Sequence, residues 1–252
     1  MLECKPADTP LAQNEKLSIH DNQMPTDKDQ YQRLVGKLIY LSHIGPDIAY
    51  VASLVSQFMH NPSKDHMNVV IQILRYLKSS PGRRLMFRKH GHLNVEEYSD
   101  ADWAVSSDRK STFGYFTFVG GNLVTWRSKN KKVVALSSAE AEFRDISKGV
   151  YELLWLRSLL NEIGYTPSNE MNLYCDNRAA IQIAQNLVQH DQTKHVEIDI
   201  HFIKEKFEAK IIKLLFVKSE DQLADVLTKA VSSRMFYNSL GKLGIENIYA
   251  LT

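Results

Sequence analysis

The apolar positions from residue 31 to residue 90 recur with the spacing of a helix. Leu34, Leu38 and Leu41 lie on one helix face, and two later runs repeat this period. The runs end at the breaks Gly45-Pro46, Asn61-Pro62 and Ser79-Ser80-Pro81-Gly82. The pattern predicts a module of three helices. It leaves open whether the module is a bundle, a thumb-like subdomain or an interaction surface.

Beyond Gly91 the apolar runs become short and are separated by turns, which predicts β-strands. The expected strands are residues 94–105, 112–119, 122–128, 171–175 and 211–217, and the expected helices are residues 138–163, 178–186, 197–208 and 220–230. Gly120-Gly121 fits a hairpin turn, and Gly164 fits a helix end. This order predicts an α/β fold in which helices flank a mixed five-stranded sheet.

The same pattern divides the chain into four parts. Residues 1–30 are polar and contain three prolines, so we expect a loop or linker there. Residues 31–90 form the helical module, residues 91–231 the sheet-containing domain and residues 232–252 a tail that is amphipathic at best. A length of 252 residues suffices for one large core or two modest ones, and the mixed composition indicates folded protein.

Charge is balanced overall but unevenly distributed. The net charge is +2, yet between His60 and His92 the basic residues face the single acid Asp65. A second basic cluster comprises Arg127, Lys129, Lys131 and Lys132. Such patches can hold a phosphate backbone, although a solvated charged face explains them equally well.

The cysteines and the apolar runs indicate the type of cellular compartment in which the chain is expected. Cys4 and Cys175 stand far apart without a CxxC pair, which argues against a disulfide framework and a cysteine zinc site and suits a reducing compartment. The amino terminus has no apolar signal region, and no run is long enough to span a bilayer. We therefore expect neither secretion nor membrane insertion.

Two glutamates near the start of the long helix have different expected functions. Ser137 and Glu140 have the spacing of a capping box, in which both side chains satisfy free backbone N–H groups. Glu142 instead begins an apolar stripe that continues with Ile146 and Val150. A carboxylate at the edge of a buried face needs compensation, either by a metal ion or by a salt bridge to a lysine. Both explanations stay open on this pattern alone.

Further acids follow the first and fourth expected strands. Asp100 and Asp102 lie on one face of the first strand, and Asp176 follows the fourth. Sites in open mixed sheets gather where strands end and helices begin. Each acid also has an ordinary explanation, because Asp100 or Asp102 could face solvent and Asp176 or Asn177 could cap the next helix.

Several motifs together carry a family resemblance. The motifs are, in order, YSDADWA, DRKSTFGY, VTWRSKNKKVVALSSAEAEF, ELLWLRSLL, YCDNRAAIQIA, TKHVEIDIHFIKEK and EDQLADVLTKA, preceded by CKPADTP, YQRLVGKLIYLSHIGPDIAYVASLVSQFM and ILRYLKSSPGRRL. The later motifs resemble the ribonuclease H domain of copia-type LTR retrotransposon Pol polyproteins. The earlier ones resemble the reverse-transcriptase carboxyl-terminal region before it. The resemblance extends over nearly the whole chain.

The resemblance implies a ribonuclease H-like fold for residues 91–231 and a thumb- or connection-like module for residues 31–90. It implies four catalytic, metal-binding acids, which are Asp100, Glu142, Asp176 and Asp225. It selects Asp100 over Asp102 and agrees with the helix-face argument on Glu142. The residues alone do not select Asp225, because it shares a polar stripe with Asp221 and Lys229 and could simply be solvated.

The implied reaction is endonucleolytic cleavage of the RNA strand of an RNA/DNA hybrid. Clustered carboxylates call for hard cations, so we expect two Mg²⁺ or Mn²⁺ ions. The expected partners are the hybrid and the reverse-transcriptase fingers and palm of the remaining Pol polyprotein, in a cytoplasmic virus-like particle or in the nucleus. The candidate nucleic-acid contacts are Arg83, Arg84, Arg127, Lys129, Lys131, Lys132 and Lys194.

The sequence also departs from the cellular ribonuclease H pattern. VKSEDQLAD lacks the histidine that many of those enzymes carry before the last helix, and His195 is the candidate for a related auxiliary function. No YxDD-type polymerase pair is present, so DNA synthesis by this chain alone is not expected. Two alternatives stay open: an active nuclease, and a catalytically silent Pol remnant or co-opted nucleic-acid-binding module.

Overall fold

A computed structural model describes residues 4–13, 15, 17–18, 23–79, 81–102, 111–130, 138–185 and 194–250, with backbone only at residues 138–140, 194–198, 200 and 250. In chain order the strands are β1 Arg83–Leu85, β2 Val95–Asp102, β3 Thr112–Val119, β4 Asn122–Asn130, β5 Met171–Cys175, β6 Ile212–Phe216 and β7 Ile245–Asn247. The helices are α1 Lys28–Ser42, α2 Ala49–Ser56, α3 Lys64–Ser79, α4 Ser138–Glu162, α5 Arg178–Gln185, α6 Lys194–Glu208 and α7 Ser233–Lys242. Short 3-10 turns span Pro46–Ile48, Ser219–Asp221, Leu223–Leu227 and Ile248–Ala250.

The central sheet has the order β4-β3-β2-β5-β6. Strand β2 pairs antiparallel with β3 and parallel with β5, and β5 pairs parallel with β6. The predicted mixed five-stranded sheet flanked by helices is therefore confirmed. Because β2 and β5 are parallel, their carboxyl ends meet at the same edge of the sheet.

Helix α4 covers one face of the sheet. Ile146, Val150 and Leu153 are fully buried there and share a core with Leu173 of β5. These positions repeat with the period of a helix face, so the apolar stripe of the sequence predicts the buried side of α4 correctly.

The helical module covers the opposite face. Val51 and Val55 of α2 belong to the same core as Phe116 of β3. The indole of Trp126 on β4 donates a hydrogen bond to the Ser42 carbonyl at the end of α1 (2.9 Å). The three predicted helices are present, and their apolar faces pack on the sheet rather than only on one another.

The helix expected over residues 220–230 is replaced by two 3-10 turns, and this expectation was wrong. Gln222 separates the turns with an extended backbone (ψ 106°). Its buried side chain accepts from the Ala224 amide (3.1 Å) and donates to the Ser99 carbonyl (3.0 Å). These bonds hold the segment against β2 and interrupt a continuous helix.

The segments predicted as linker and tail are partly folded. Ala7 and Leu11 are buried, and the Ala7 amide donates to the Arg75 carbonyl on α3 (3.3 Å). At the other end, α7 buries Phe236 against the module core, and β7 pairs antiparallel with β1. In the described part of the chain, no helix combines the length and the apolarity that a bilayer-spanning segment requires.

Candidate active site

The acids selected from the sequence meet at the edge of the sheet where β2 and β5 end. Asp100 lies on β2, Glu142 in the first turns of α4, Asp176 directly after β5 and Asp225 in the turn Leu223–Leu227. One side-chain oxygen from each of Asp100, Asp176 and Asp225 lies within 4.8 Å of the others. Asp100, Glu142 and Asp176 line an open cleft of about 500 Å³.

Asp100 is buried, with 3% of its surface exposed. Its carboxylate accepts a hydrogen bond from the hydroxyl of Thr228, which is also buried. Burial raises the pKa of Asp100 to about 6, while the nearby Lys229 ammonium and the Thr228 hydrogen bond act in the opposite direction. Asp102 is only half-buried and lies at the cleft lining.

Asp225 is equally buried, because the 3-10 turn directs it inward along with its apolar neighbours. The Lys229 Nζ lies 2.9 Å from Asp225 Oδ1. Burial and the Asp100 charge raise the pKa of Asp225 to about 7, although Lys229 partly compensates. The close approach of this turn to β3 requires Gly114, because a Cβ there would lie 2.5 Å from the Leu227 Cβ.

Glu142 reaches the cleft from the other side of the sheet. Burial, followed by the charges of Asp100 and Asp145, raises its pKa well above the ordinary value. Among the residues that the structure describes, no lysine forms an ion pair with Glu142, so the salt-bridge explanation is not supported there. The capping box predicted for Ser137 and Glu140 lies outside the described side chains.

Asp176 is the most accessible of the four acids. Its Oδ2 accepts a hydrogen bond from the Ser219 hydroxyl (2.7 Å). Asn177 caps α5, because its Oδ1 accepts from the Ala180 amide (3.1 Å). The capping alternative therefore applies to Asn177, which leaves the Asp176 carboxylate directed at the cleft.

The donor set fits a hard divalent cation. Carboxylate oxygens from separate elements converge, and burial raises the pKa of Asp100, Glu142 and Asp225, so their charges lack sufficient compensation from the protein. The Cys175 thiol lies 4.0 Å from Glu142 Oε2, but burial raises its pKa and keeps it protonated at neutral pH. Oxygen ligands of this kind suit Mg²⁺ or Mn²⁺.

The predicted nucleic-acid contacts that the structure describes do not line the acidic cleft. Arg127 and Lys129 are exposed on the edge strand β4. Arg84 is exposed and donates to the Pro81 carbonyl (2.9 Å). Lys131 and Lys132 lie outside the described residues, as do the side chains of Lys194 and His195. These contacts stay predictions.

Arg83 has structural partners. Its guanidinium donates to the hydroxyls of Tyr76 (2.7 Å) and Tyr237 (3.2 Å), and it lies over both rings. Arg83 therefore links α3 to α7, and its predicted contact with nucleic acid is untested.

Sequence reasoning missed other cleft residues, namely Arg178, Phe216, Thr228 and Lys229. Once Asp225 is placed, Thr228 and Lys229 follow from their short spacing to it. Phe216 carries no comparable signal, because only the pairing of β5 with β6 sets Cys175 opposite Phe216.

The sequence is similar to transposon Pol polyproteins. No family model matches the sequence. The chain is 39% identical over 249 residues to the retrovirus-related Pol polyprotein from transposon RE1 of Arabidopsis thaliana, covering 98% of this chain and 17% of the polyprotein. It is 38% identical over 247 residues to the Pol polyprotein from transposon TNT 1-94 of Nicotiana tabacum, covering 94% of this chain and 18% of the polyprotein.

A solved ribonuclease H domain aligns with part of this chain at low sequence identity. The N-terminal RNase H domain of rv2228c from Mycobacterium tuberculosis, solved as a fusion with maltose binding protein, aligns with a TM-score of 0.40 and 10% identity. The alignment covers 59% of this chain and 97% of that chain. The chain spans less than a fifth of the Pol polyproteins it matches.

Proposed function

Because this chain belongs to the retrovirus-related Pol polyproteins of copia-type transposons, we propose that it is a metal-dependent endonuclease that cleaves the RNA strand of RNA/DNA hybrids. The observation that carries the proposal is the convergence of four acids from four separate elements, in which Asp100, Glu142 and Asp176 line one open cleft and Asp225 lies beside Asp100 and Asp176. Burying acids together is unfavourable in itself, so such an arrangement needs a compensating function.

The carboxylates of Asp100, Glu142, Asp176 and Asp225 would hold two Mg²⁺ or Mn²⁺ ions. When bound, such ions activate a water molecule and neutralise charge on a leaving oxygen. The chain's own hydroxyls orient two of these acids, since Thr228 donates to Asp100 and Ser219 donates to Asp176. The Thr228 hydrogen bond favours the ionised form of Asp100, and each hydrogen bond limits the rotation of the carboxylate that accepts it.

The proposed substrate is an RNA/DNA hybrid. Cleavage of its RNA strand alone would require contacts to the 2′-hydroxyls, which distinguish RNA from DNA. Exposed basic residues such as Arg127 and Lys129 on β4 would hold the phosphate backbone. In a complete element, the reverse-transcriptase fingers and palm of the polyprotein would deliver the hybrid. The reaction would then take place in a cytoplasmic particle or in the nucleus.

Cleavage of a strand-labelled RNA/DNA hybrid by the purified chain, with Mg²⁺ or Mn²⁺, tests the proposal. Wild type should cut only the RNA strand, whereas Asp100→Asn and Glu142→Gln should lose cleavage and stay folded, with a melting temperature no lower than that of wild type. Glu140→Gln and Asp221→Asn serve as matched controls, because Asp221 is an exposed acid that pairs with Lys242 (2.9 Å).

Unchanged cleavage by Glu142→Gln would remove Glu142 from the proposed site. A second result, binding of the hybrid by wild type without cleavage under either metal, would contradict the nuclease. That second result would favour the alternative function, a catalytically silent nucleic-acid-binding module.

A further inference from the structure

An arginine and a phenylalanine meet at the mouth of the cleft. Arg178 is the first residue of α5, two positions after Asp176, and Phe216 is the last residue of β6. The Arg178 guanidinium carbon lies 4.1 Å from the centre of the Phe216 ring. Both side chains are exposed and line the cleft together with the acids.

Within the described residues, Arg178 is not ion-paired with the acids beside it. Within the described part of the chain, Arg178 forms no ion pair with a carboxylate, whereas Lys229 lies 2.9 Å from Asp225. A guanidinium that stacks through its face keeps its N–H donors free at its edge. The cleft therefore contains one cation committed to an acid and one cation available to a ligand.

We propose that Arg178, held on Phe216, binds a phosphate of the substrate strand adjacent to the one that is cleaved. The inference rests on the proposed function, because it assumes a nucleic-acid strand in the cleft. A polyanionic strand is repelled by the clustered acids, and a fixed cation at the rim offsets this repulsion where the strand enters. The planar fork of the guanidinium matches two phosphate oxygens.

Phe216 acts as the support of the arginine. Stacking restricts the long side chain before the substrate arrives, so less conformational freedom is lost on binding. Arg178 is thus a binding residue and Phe216 a positioning residue, and they differ from Arg127 and Lys129 of β4, which do not line the cleft.

The test measures binding of a labelled RNA/DNA hybrid at several salt concentrations in a Glu142→Gln background, so that the probe stays intact. Arg178→Ala should weaken binding by about tenfold and lower the slope of log affinity against log salt by about 0.9, as expected for one phosphate contact. Arg178→Lys should recover part of the affinity, and Phe216→Leu should lose part of it. Arg234→Ala, which removes an exposed arginine of α7, should change neither quantity.

Kinetics and melting separate binding from a structural function. In the otherwise unaltered chain, Arg178→Ala should raise KM much more than it lowers kcat, with the melting temperature unchanged. An unchanged affinity and salt slope would overturn the inference while cleavage by wild type leaves the proposed function intact. A lower melting temperature without a change in slope would also overturn it. If wild type neither binds nor cuts the hybrid, the proposed function fails and the inference fails with it.

Discussion

Two buried carboxyl groups on the same strand have different surroundings. Glu97 and Asp100 both lie on β2, and the alternation of side chains along a strand sends them to opposite faces of the sheet. Asp100 faces the cleft, near Lys229. Glu97 is fully buried under α4, where a Cβ on Gly149 would clash with its carboxylate.

Asp100 and Glu97 accept similar hydrogen bonds but have different neighbouring charges and different access to solvent. Each acid accepts a hydrogen bond from a threonine, Asp100 from Thr228 and Glu97 from Thr117 (3.2 Å). Burial raises the pKa of both, but the charge that acts most strongly on Asp100 is Lys229, which lowers its pKa, and the charge that acts on Glu97 is Glu152, which raises its pKa further. A buried acid is therefore not by itself a site. Access to solvent and further acids from other elements distinguish the cleft.

The largest effect should come from removing one cleft acid. Asp225→Asn should lower the rate of hybrid cleavage by about 10³-fold, because an oxygen ligand and a negative charge are lost together. Glu97→Gln should leave the rate per folded molecule unchanged, since Glu97 does not reach the cleft. Single-turnover cleavage with both variants measures this, and a mild effect of Asp225→Asn would remove Asp225 from the proposed metal ligands.

The next effect in size should be a pH dependence of stability that distinguishes the cleft acids from Glu97. A carboxyl whose pKa is higher in the folded than in the unfolded chain binds more protons when folded, so stability falls as pH rises through that interval. With Asp100 raised to about 6 and Asp225 to about 7, the metal-free chain should lose on the order of 6 kcal/mol from these two groups between pH ~4 and pH ~7. Denaturant unfolding in chelator at several pH values measures the loss.

Added Mg²⁺ sharpens this measurement. The ion should restore stability above neutral pH through the cleft acids but not through Glu97, whose pKa is also raised, well above its usual range. Glu97→Gln should therefore reduce the part of the pH dependence that Mg²⁺ does not recover. A stability that rises with pH in chelator would contradict the assigned directions.

Much of this fold follows from the sequence because periodicity reports burial. The strands expected at 112–119 and 171–175 agree with β3 and β5, and the stripe beginning at Glu142 agrees with the buried face of α4. The burial of Asp225 could not be predicted from periodicity. A helical period places it on a polar stripe, whereas the 3-10 turn after Gln222 buries it.

The remaining gaps concern pairing between distant segments. The contact of Arg178 with Phe216 depends on the register of β5 against β6. The folding of the predicted tail depends on the pairing of β7 with β1. The Arg178–Phe216 contact and the β1–β7 pairing each join segments that are distant in the chain. A local periodic pattern therefore cannot predict either of them.

A smaller effect should follow from filling the space beside Glu97. Gly149→Ala would place a Cβ 2.0 Å from Glu97 Oε1 and 2.9 Å from the Leu173 side chain, so we expect a loss of about 2 kcal/mol in unfolding free energy. Gly36→Ala is the matched control, because it is also helical and nothing lies within 4 Å of its Cβ. That change should stabilise the chain by up to ~1 kcal/mol.

The Gly149 effect should depend on Glu97. In a Glu97→Ala background the added methyl group meets less of an obstacle, so the two changes should be non-additive in a double-mutant cycle. Cleavage per folded molecule should stay constant in every variant of the cycle. A loss of cleavage without unfolding would show that the enclosed acid and the cleft are coupled.

The finest distinction is between the two threonines that donate to these acids. Thr228→Val should remove the hydrogen bond that orients Asp100, lowering kcat about tenfold and raising the apparent pKa in the pH–rate profile, because the lost donor favours the ionised form. Thr117→Val removes the corresponding bond to Glu97 and should change only the unfolding free energy. Serine at position 228 should recover most of kcat, since it restores the hydroxyl. Equal kinetic effects of the two valine variants would mean that the threonines support packing alone, and the contrast between the cleft and the enclosed acid would then rest on Asp225, Glu142 and Asp176.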